Sequence, residues 1–263
     1  MIRYANVDGH LSEPATGLKG ICPGCGNTLI SKCGLIKIHH WAHKQNIDCD
    51  SWWETMSEWH LEWQNEFPKA WREVIFRDEQ TGEFHRADVH TPNGLTIEFQ
   101  NSTLSLQELN SRNAFYKKII WVVNAQRFQG KFEFTEITPN PASPLLAKYN
   151  FYVDVYGLAK QVRFMLKDDG RDPRKLYRIY SLLDEELELA ADEFYNSEKK
   201  YCLFNWKNKH IGWLQSDAPV FLDFGHEFLY WVKKRSQIPT PLLYLQIVSK
   251  SDFIAKYAAP GLK

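Results

Sequence analysis

Residues 86–100 read RADVHTPNGLTIEFQ, and the division of this stretch decides the fold. Residues 84–90 and 95–100 suit β-strands. Thr91, Pro92, Asn93 and Gly94 between them are turn formers: proline presets φ, and asparagine and glycine accept left-handed backbone. The stretch is therefore a hairpin, with Asp88 near the end of its first strand and Glu98 within its second. Carboxylates on adjacent strands stand a few ångströms apart. Strand alternation places Gln100 on the same face as Glu98. Oxygen donors so arranged suit a hard divalent cation such as Mg²⁺ or Mn²⁺.

The flanking segments extend the hairpin into a core. Upstream, residues 71–78 suit a further strand. Residues 52–67 carry Trp53, Met56, His60, Trp63 and Phe67 at helical spacing, and Pro68 ends the pattern. On that helix Glu54, Glu58 and Glu62 form an i, i+4 stripe of like charge, which solvent or a cation must compensate. Glu58 is the candidate outer ligand to a metal or its water. His60 lies on the apolar stripe and reads as a core histidine. Downstream, residues 105–118 are helical in pattern, with Arg112 and Tyr116 sharing a face. Residues 119–123, all apolar, read as a buried central strand. The order is helix, strand, strand, strand, helix, strand.

The N-terminal region carries different chemistry. Of five cysteines, Cys22, Cys25, Cys33 and Cys49 fall within 22–49, too few for a disulfide scaffold and spaced as metal ligands. Cys22 and Cys25 form a Cys-x-x-Cys knuckle, and His40 and His43 follow as His-x-x-His. Two thiolates and two imidazoles describe a structural Zn²⁺ site with no open position for catalysis. Cys33, His39 and Cys49 are alternatives for any of the four. Residues 28–30 and 35–39 read as a small hairpin joining the two halves. Metal binding would supply much of this segment's stability.

Composition is that of an ordinary globular chain, 44% apolar and 24% charged with zero net charge. Such a balance argues against a protein that coats nucleic acid, although an enzyme needs only a local basic surface. No apolar run approaches the roughly 20 residues that span a bilayer. The first residues lack an apolar signal core, so a cytoplasmic location is expected. Pro139, Pro141 and Pro144 mark a linker. Beyond it, strands are expected at 153–158, 161–166, 219–224 and 227–232. Helices are expected over 173–196, with an acidic face at 184–193, and over 251–258. Residues 199–213 interleave lysines with Trp206 and Trp213, as either a packed hairpin or a nucleic-acid surface.

The element order and the acids on the second and third strands resemble the PD-(D/E)XK nuclease superfamily. More closely, the chain resembles the competence-protein CoiA-like family. The resemblance rests on Cys-Pro-x-Cys at 22–25, His-Trp-Ala-His at 40–43, Ser-Glu-Trp-His at 57–60, Ala-Asp-Val at 87–89 and Ile-Glu-Phe-Gln-Asn-Ser at 97–102. It covers residues 20–125 well and the remainder weakly. It implies an α/β (α+β) protein with a restriction-endonuclease-like αβββαβ core and a mixed sheet over 51–138. A zinc module would occupy 1–50 and an accessory α+β domain 145–263.

The resemblance further implies a Mg²⁺-dependent endonuclease acting on DNA, in competence or in anti-phage defence, with protein partners from such a system. Asp88 and Glu98 would be the metal ligands, joined by the Phe99 carbonyl, with Glu58 as supporting acid. Gln100 stands where the superfamily usually has lysine; an amide cannot replace an ammonium electrostatically. Arg112, Lys117 and Arg86 are candidate sources of positive charge. Arg112 and Tyr116 resemble a Gln-x-x-x-Tyr pair that contacts DNA, with arginine favouring phosphate. Two other expectations stand beside this one: a nuclease-fold DNA-binding factor without chemistry, motivated by Gln100, and a purely structural zinc protein.

Overall fold

A computed structural model of the chain describes residues 1–45, 49–52, 54–147, 149–153, 162–166, 195–207, 211–237 and 240–259. The chain divides into two compact units, Met1–Asn124 with Ile254–Lys263, and Ala125–Phe253.

The first unit begins with a five-stranded antiparallel sheet. Its strands are β1 (Ala5–Val7), β2 (His10–Ser12), β3 (Lys19–Ile21), β4 (Thr28–Lys32) and β5 (His40–His43), in the order β2-β1-β3-β4-β5. A small core of Ile2, Ala5, Cys22, Leu29 and Trp41 holds it together. Lys19 to Ile21 pair with Thr28 to Ile30, so residues 22–27 form the knuckle between β3 and β4. The hairpin expected from 28–30 and 35–39 is displaced: its second strand is His40–His43. Leu35 and Ile36 sit exposed in the connection.

The core of this unit follows in the expected order: α1 (Glu58–Asn65), β6 (Arg72–Arg77), β7 (Phe84–His90), β8 (Thr96–Gln100), α2 (Leu106–Tyr116) and β9 (Ile119–Asn124). β6-β7-β8 are antiparallel and β9 lies parallel to β8, which makes the sheet mixed. Between β7 and β9, every residue of β8 is buried. Phe99 on β8 is the point on which α1 packs: the Trp63 ring stacks 5.6 Å away and Phe67 lies at 6.0 Å.

The first helix is shorter than the apolar spacing predicts. Ser57 is its N-cap, with extended backbone, and its Oγ accepts from the His60 amide at 3.3 Å. A serine cap satisfies a donor that the helix leaves open, so it fixes the start. Glu54 therefore lies outside the helix, and the glutamate stripe of 54, 58 and 62 does not form. α2 is capped by Ser105, whose Oγ accepts from Glu108 N at 3.0 Å, and ends at Lys117 with φ 59.

The second unit is a five-stranded antiparallel sheet of β10 (Phe132–Thr138), β13 (Lys200–Trp206), β14 (Val220–Asp223), β15 (Phe228–Arg235) and β16 (Leu242–Ser249), ordered β10-β13-β16-β15-β14. A separate hairpin pairs β11 (Tyr149–Val153) with β12 (Val162–Leu166). Trp206 and Trp213 are buried, so neither stands as an open stacking platform. Arg235 donates to the carbonyls of Leu146 at 2.7 Å and Tyr149 at 2.8 Å and so ties this unit together. The acidic stretch at 184–193, the helices expected over 173–196 except for residues 195 and 196, and Trp53 and Lys209 lie outside the described residues. Among the described residues no helix is long and apolar enough to cross a membrane.

Candidate active site and metal centre

Two clusters of chemically capable side chains lie in the first unit. In one, Cys22, Cys25, His43 and Cys49 bring their ligand atoms within 4.8 Å of one another. Cys22 Sγ lies 3.8 Å from Cys49 Sγ, and Cys25 Sγ lies 3.2 Å from His43 Nε2. Ligand atoms of a tetrahedral site with bonds of 2.0–2.3 Å stand roughly 3.5 Å apart, so this Cys₃His set fits a structural zinc ion. The hydrogen bond from Cys49 pushes the Cys22 thiol down to about 4, and the same contact with burial pushes Cys49 up. The knuckle rests on the core sheet: a Cβ at Gly24 would meet Ile75 at 3.5 Å and Phe84 at 3.6 Å.

His40, expected as a ligand, is not in this cluster. Its Nδ1 lies 2.8 Å from the Ile38 carbonyl. The reason is geometric. His40 and His43 lie on a strand, where residues three apart point to opposite faces. Cys49 takes the place that His40 was expected to fill.

The second cluster lines a cavity of about 40 Å³ bounded by Asp50, Trp52, Glu54, Met56, His60, Glu73, Arg86, Asp88, Glu98, Phe99, Gln100, Arg112 and Met1. Asp88 and Glu98 meet as the hairpin requires: the Asp88 amide donates to Glu98 Oε1 at 3.3 Å. The second Asp88 oxygen accepts from the Phe99 amide at 2.8 Å. Glu98 is only 4% exposed. Burial, then the neighbouring Asp88 charge, hold its carboxyl well above the usual range, and Arg112 opposes them. Arg112 Nη1 lies 3.3 Å from Glu98 Oε2, while Nη2 donates to Glu108 at 2.5 Å and to the Trp52 carbonyl at 2.8 Å.

The Gln100 amide donates to Glu54 and, at 3.2 Å, to the Ser102 carbonyl; Ser102 Oγ also donates to Glu54. Burial raises the Glu54 carboxyl, and the Asp88 charge adds to that. Glu58, the acid expected here, is exposed on the first turn of α1 and does not line the cavity. Glu54 lines the cavity instead. Tyr116 is buried beside the cluster and its hydroxyl is held well above its usual value by burial. Lys117 is exposed at the end of α2 and does not line the cavity either.

His60 was expected to be a core residue. It is buried, and its Nε2 lies 2.8 Å from Asp88 Oδ1. Burial alone would lower its pKa, but the Asp88 carboxylate, with Glu73 and Glu54, outweighs burial and raises it. Glu73 is a further unexpected member. Its backbone sits at φ 54 within β6, in the left-handed region that non-glycine residues avoid. Its side chain meets Arg86 at 3.1 Å and accepts from Gln64 at 2.9 Å. Non-glycine strain of this kind collects at functional sites. Helical spacing placed His60, but only the fold could bring Asp88 to it.

The cavity is rich in acids. Five carboxyl groups face two guanidiniums, one imidazole and the Met1 ammonium, and the crowding of acids with burial holds Glu98 and Glu54 towards their neutral forms. The donor set fits a hard divalent cation. The oxygens are nevertheless not gathered about one point: among the described residues, the Cys₃His set is the one His/Cys/Asp/Glu group with all ligand atoms within 4.8 Å.

Comparison with known proteins supports the N-terminal part. A family model described as Competence protein CoiA, N-terminal domain, matches residues 17–51. That range contains all four members of the Cys₃His cluster. No curated protein and no solved structure matches the chain.

Proposed function

We propose that this chain is a Mg²⁺- or Mn²⁺-dependent nuclease that hydrolyses phosphodiester bonds of DNA. Its catalytic core is the PD-(D/E)XK-type unit α1-β6-β7-β8-α2-β9, with a structural zinc site ahead of it. The observation that carries the reading is the Asp88/Glu98 pair meeting in a cavity lined by five carboxyl groups. The match at 17–51 supports a role in competence, where incoming DNA is handled.

In this reading Asp88 and Glu98 hold the catalytic metal, with Glu54 and the Phe99 carbonyl as further oxygen donors. The metal, when bound, lowers the pKa of a water and neutralises charge on the scissile phosphate. The chain's own groups do the rest. His60 fixes one oxygen of Asp88, and the Phe99 amide fixes the other. Arg112 holds Glu98 and opposes the upward shift that burial and Asp88 impose on it. It is itself 4% exposed, so its charge serves Glu98 before any phosphate. Gln100 stands where a lysine is usual and is tied to Glu54 and Ser102. Positive charge near the water then comes from His60, which is held towards its charged form.

A second reading keeps the fold without the chemistry: a DNA-binding factor. It is favoured by the Gln100 amide, which is neutral, and by the Asp88 oxygens, which are already engaged. Cleavage of plasmid and single-stranded DNA with Mg²⁺ or Mn²⁺ separates the two. Metal-dependent cleavage supports the nuclease. Salt-sensitive DNA binding without cleavage supports the factor.

A further inference from the structure

The segment 49–54 connects the two clusters and belongs to no strand or helix among its described residues. Cys22, Cys25 and His43 are held by the sheet and its knuckle: Cys22 N donates to Asn27 O at 2.8 Å, and His43 pairs with Leu29. Cys49 lies on no strand among the described residues and packs against the edge of the small core. One residue on, Asp50 is buried, accepts from the Trp52 amide at 2.9 Å and lies 3.7 Å from His85 Nδ1. The Trp52 ring stacks on His85 with centroids 3.5 Å apart, and its carbonyl receives Arg112. Glu54 then accepts from Gln100, Ser102 and the Asn101 amide. Asp50, Trp52 and Glu54 line the carboxylate cavity, and Cys49 at the start of the segment sits in the other cluster.

We infer that the Cys₃His cluster is a positioning element for the carboxylate cavity, acting through Cys49, Asp50 and Trp52. A metal bound at Cys49 pins the start of this strap, and the strap in turn sets Glu54 against Gln100 and the Trp52 carbonyl against Arg112. Without the metal, the start keeps its thiol contacts and its packing against the small core but loses its bond to the other three ligands, and a short strap passes that freedom to Glu54 within a few residues. Asp50, Trp52 and Cys49 are positioning residues in this account; none is placed on substrate. The inference rests on the nuclease reading only where Mn²⁺ binding at the carboxylates is the readout.

The experiment uses the full chain in four forms: zinc-loaded, zinc-stripped by a chelator, Cys49→Ser, and Trp52→Ala, which keeps all four zinc ligands. Hydrogen exchange and Mn²⁺ titration are measured on each. The expected result is faster exchange at the Trp52 and Asn101 amides in the stripped protein and in Cys49→Ser, with β9 unchanged. Mn²⁺ affinity falls by about 10- to 100-fold, the usual cost of losing an outer-shell support. Trp52→Ala shows the same loss while keeping its zinc. Unchanged exchange in 49–54 after zinc removal overturns the inference. So does an equal rise in 49–54 and β9, which would make zinc a general folding determinant. If the zinc-loaded protein binds no Mn²⁺, the nuclease reading fails, and the exchange data alone decide the strap.

Discussion

Arg112→Met removes the cation that touches Glu98. Arg112 and Glu98 are each 4% exposed, and their 3.3 Å contact is joined by bonds from Arg112 to Glu108 and Trp52. Methionine keeps the volume of the stem, so the loss is electrostatic. Breaking one partner of a buried pair costs about 3–5 kcal/mol, because the other charge is stranded. The cost depends on pH, and its sign is fixed. Glu98 is held above its unfolded value by burial and Asp88, and Arg112 opposes both. A carboxyl raised in the folded state stabilises below its unfolded value and loses that contribution as pH rises through the folded value. Removing Arg112 lifts the folded value further. Urea unfolding of Arg112→Met should therefore show the full loss at pH 8 and a clearly smaller one at pH 5. Glu98→Gln added to Arg112→Met should recover most of the loss at pH 8. A loss under about 1 kcal/mol at pH 8, far below the buried-pair range, or an equal loss at both values, would refute the reasoning.

Other predictions concern the neighbouring groups. Purified protein should carry about one zinc, in keeping with a four-ligand structural site; Cys49→Ser should lose most of it and His40→Asn should retain it, as read by elemental analysis. His60→Ala should leave Asp88 without its 2.8 Å partner and weaken Mn²⁺ binding by about 10- to 100-fold, as measured by titration calorimetry; wild-type affinity would make His60 a packing residue only. Glu73→Gly and Glu73→Ala both remove the carboxylate that meets Arg86, but only alanine keeps a side chain at φ 54. Alanine should thus be the less stable by about 1 kcal/mol, and equal urea midpoints would contradict the left-handed backbone there.

What the sequence made legible was local. The turn residues 91–94 and the alternation of 84–90 define the β7–β8 hairpin, and β7 buries every second residue as that alternation demands. The apolar run at 119–123 becomes the buried strand β9. Two features misled. Met56 carries the apolar spacing of a helix, yet Ser57 competes as a cap and wins, which leaves Glu54 outside α1. His-x-x-His allowed two ligands on one metal, but the segment is a strand, so only His43 faces the cluster. Glu54 and Glu73 were not legible as site members because each is placed by tertiary contacts, Glu73 with an unusual backbone angle besides; Cys49 stood among the alternatives, and only the fold selects it. The charge pattern around 184–193 concerns residues beyond those described.

The central claim is that Asp88 and Glu98 hold a metal for hydrolysis. Its most direct test is cleavage of plasmid and single-stranded DNA with Mg²⁺ or Mn²⁺ by the wild type, Asp88→Ala and Glu98→Ala. The account predicts divalent-dependent cleavage by the wild type and a loss of several orders of magnitude in each variant, as expected on deleting a metal ligand. Equal residual activity in all three proteins would contradict it.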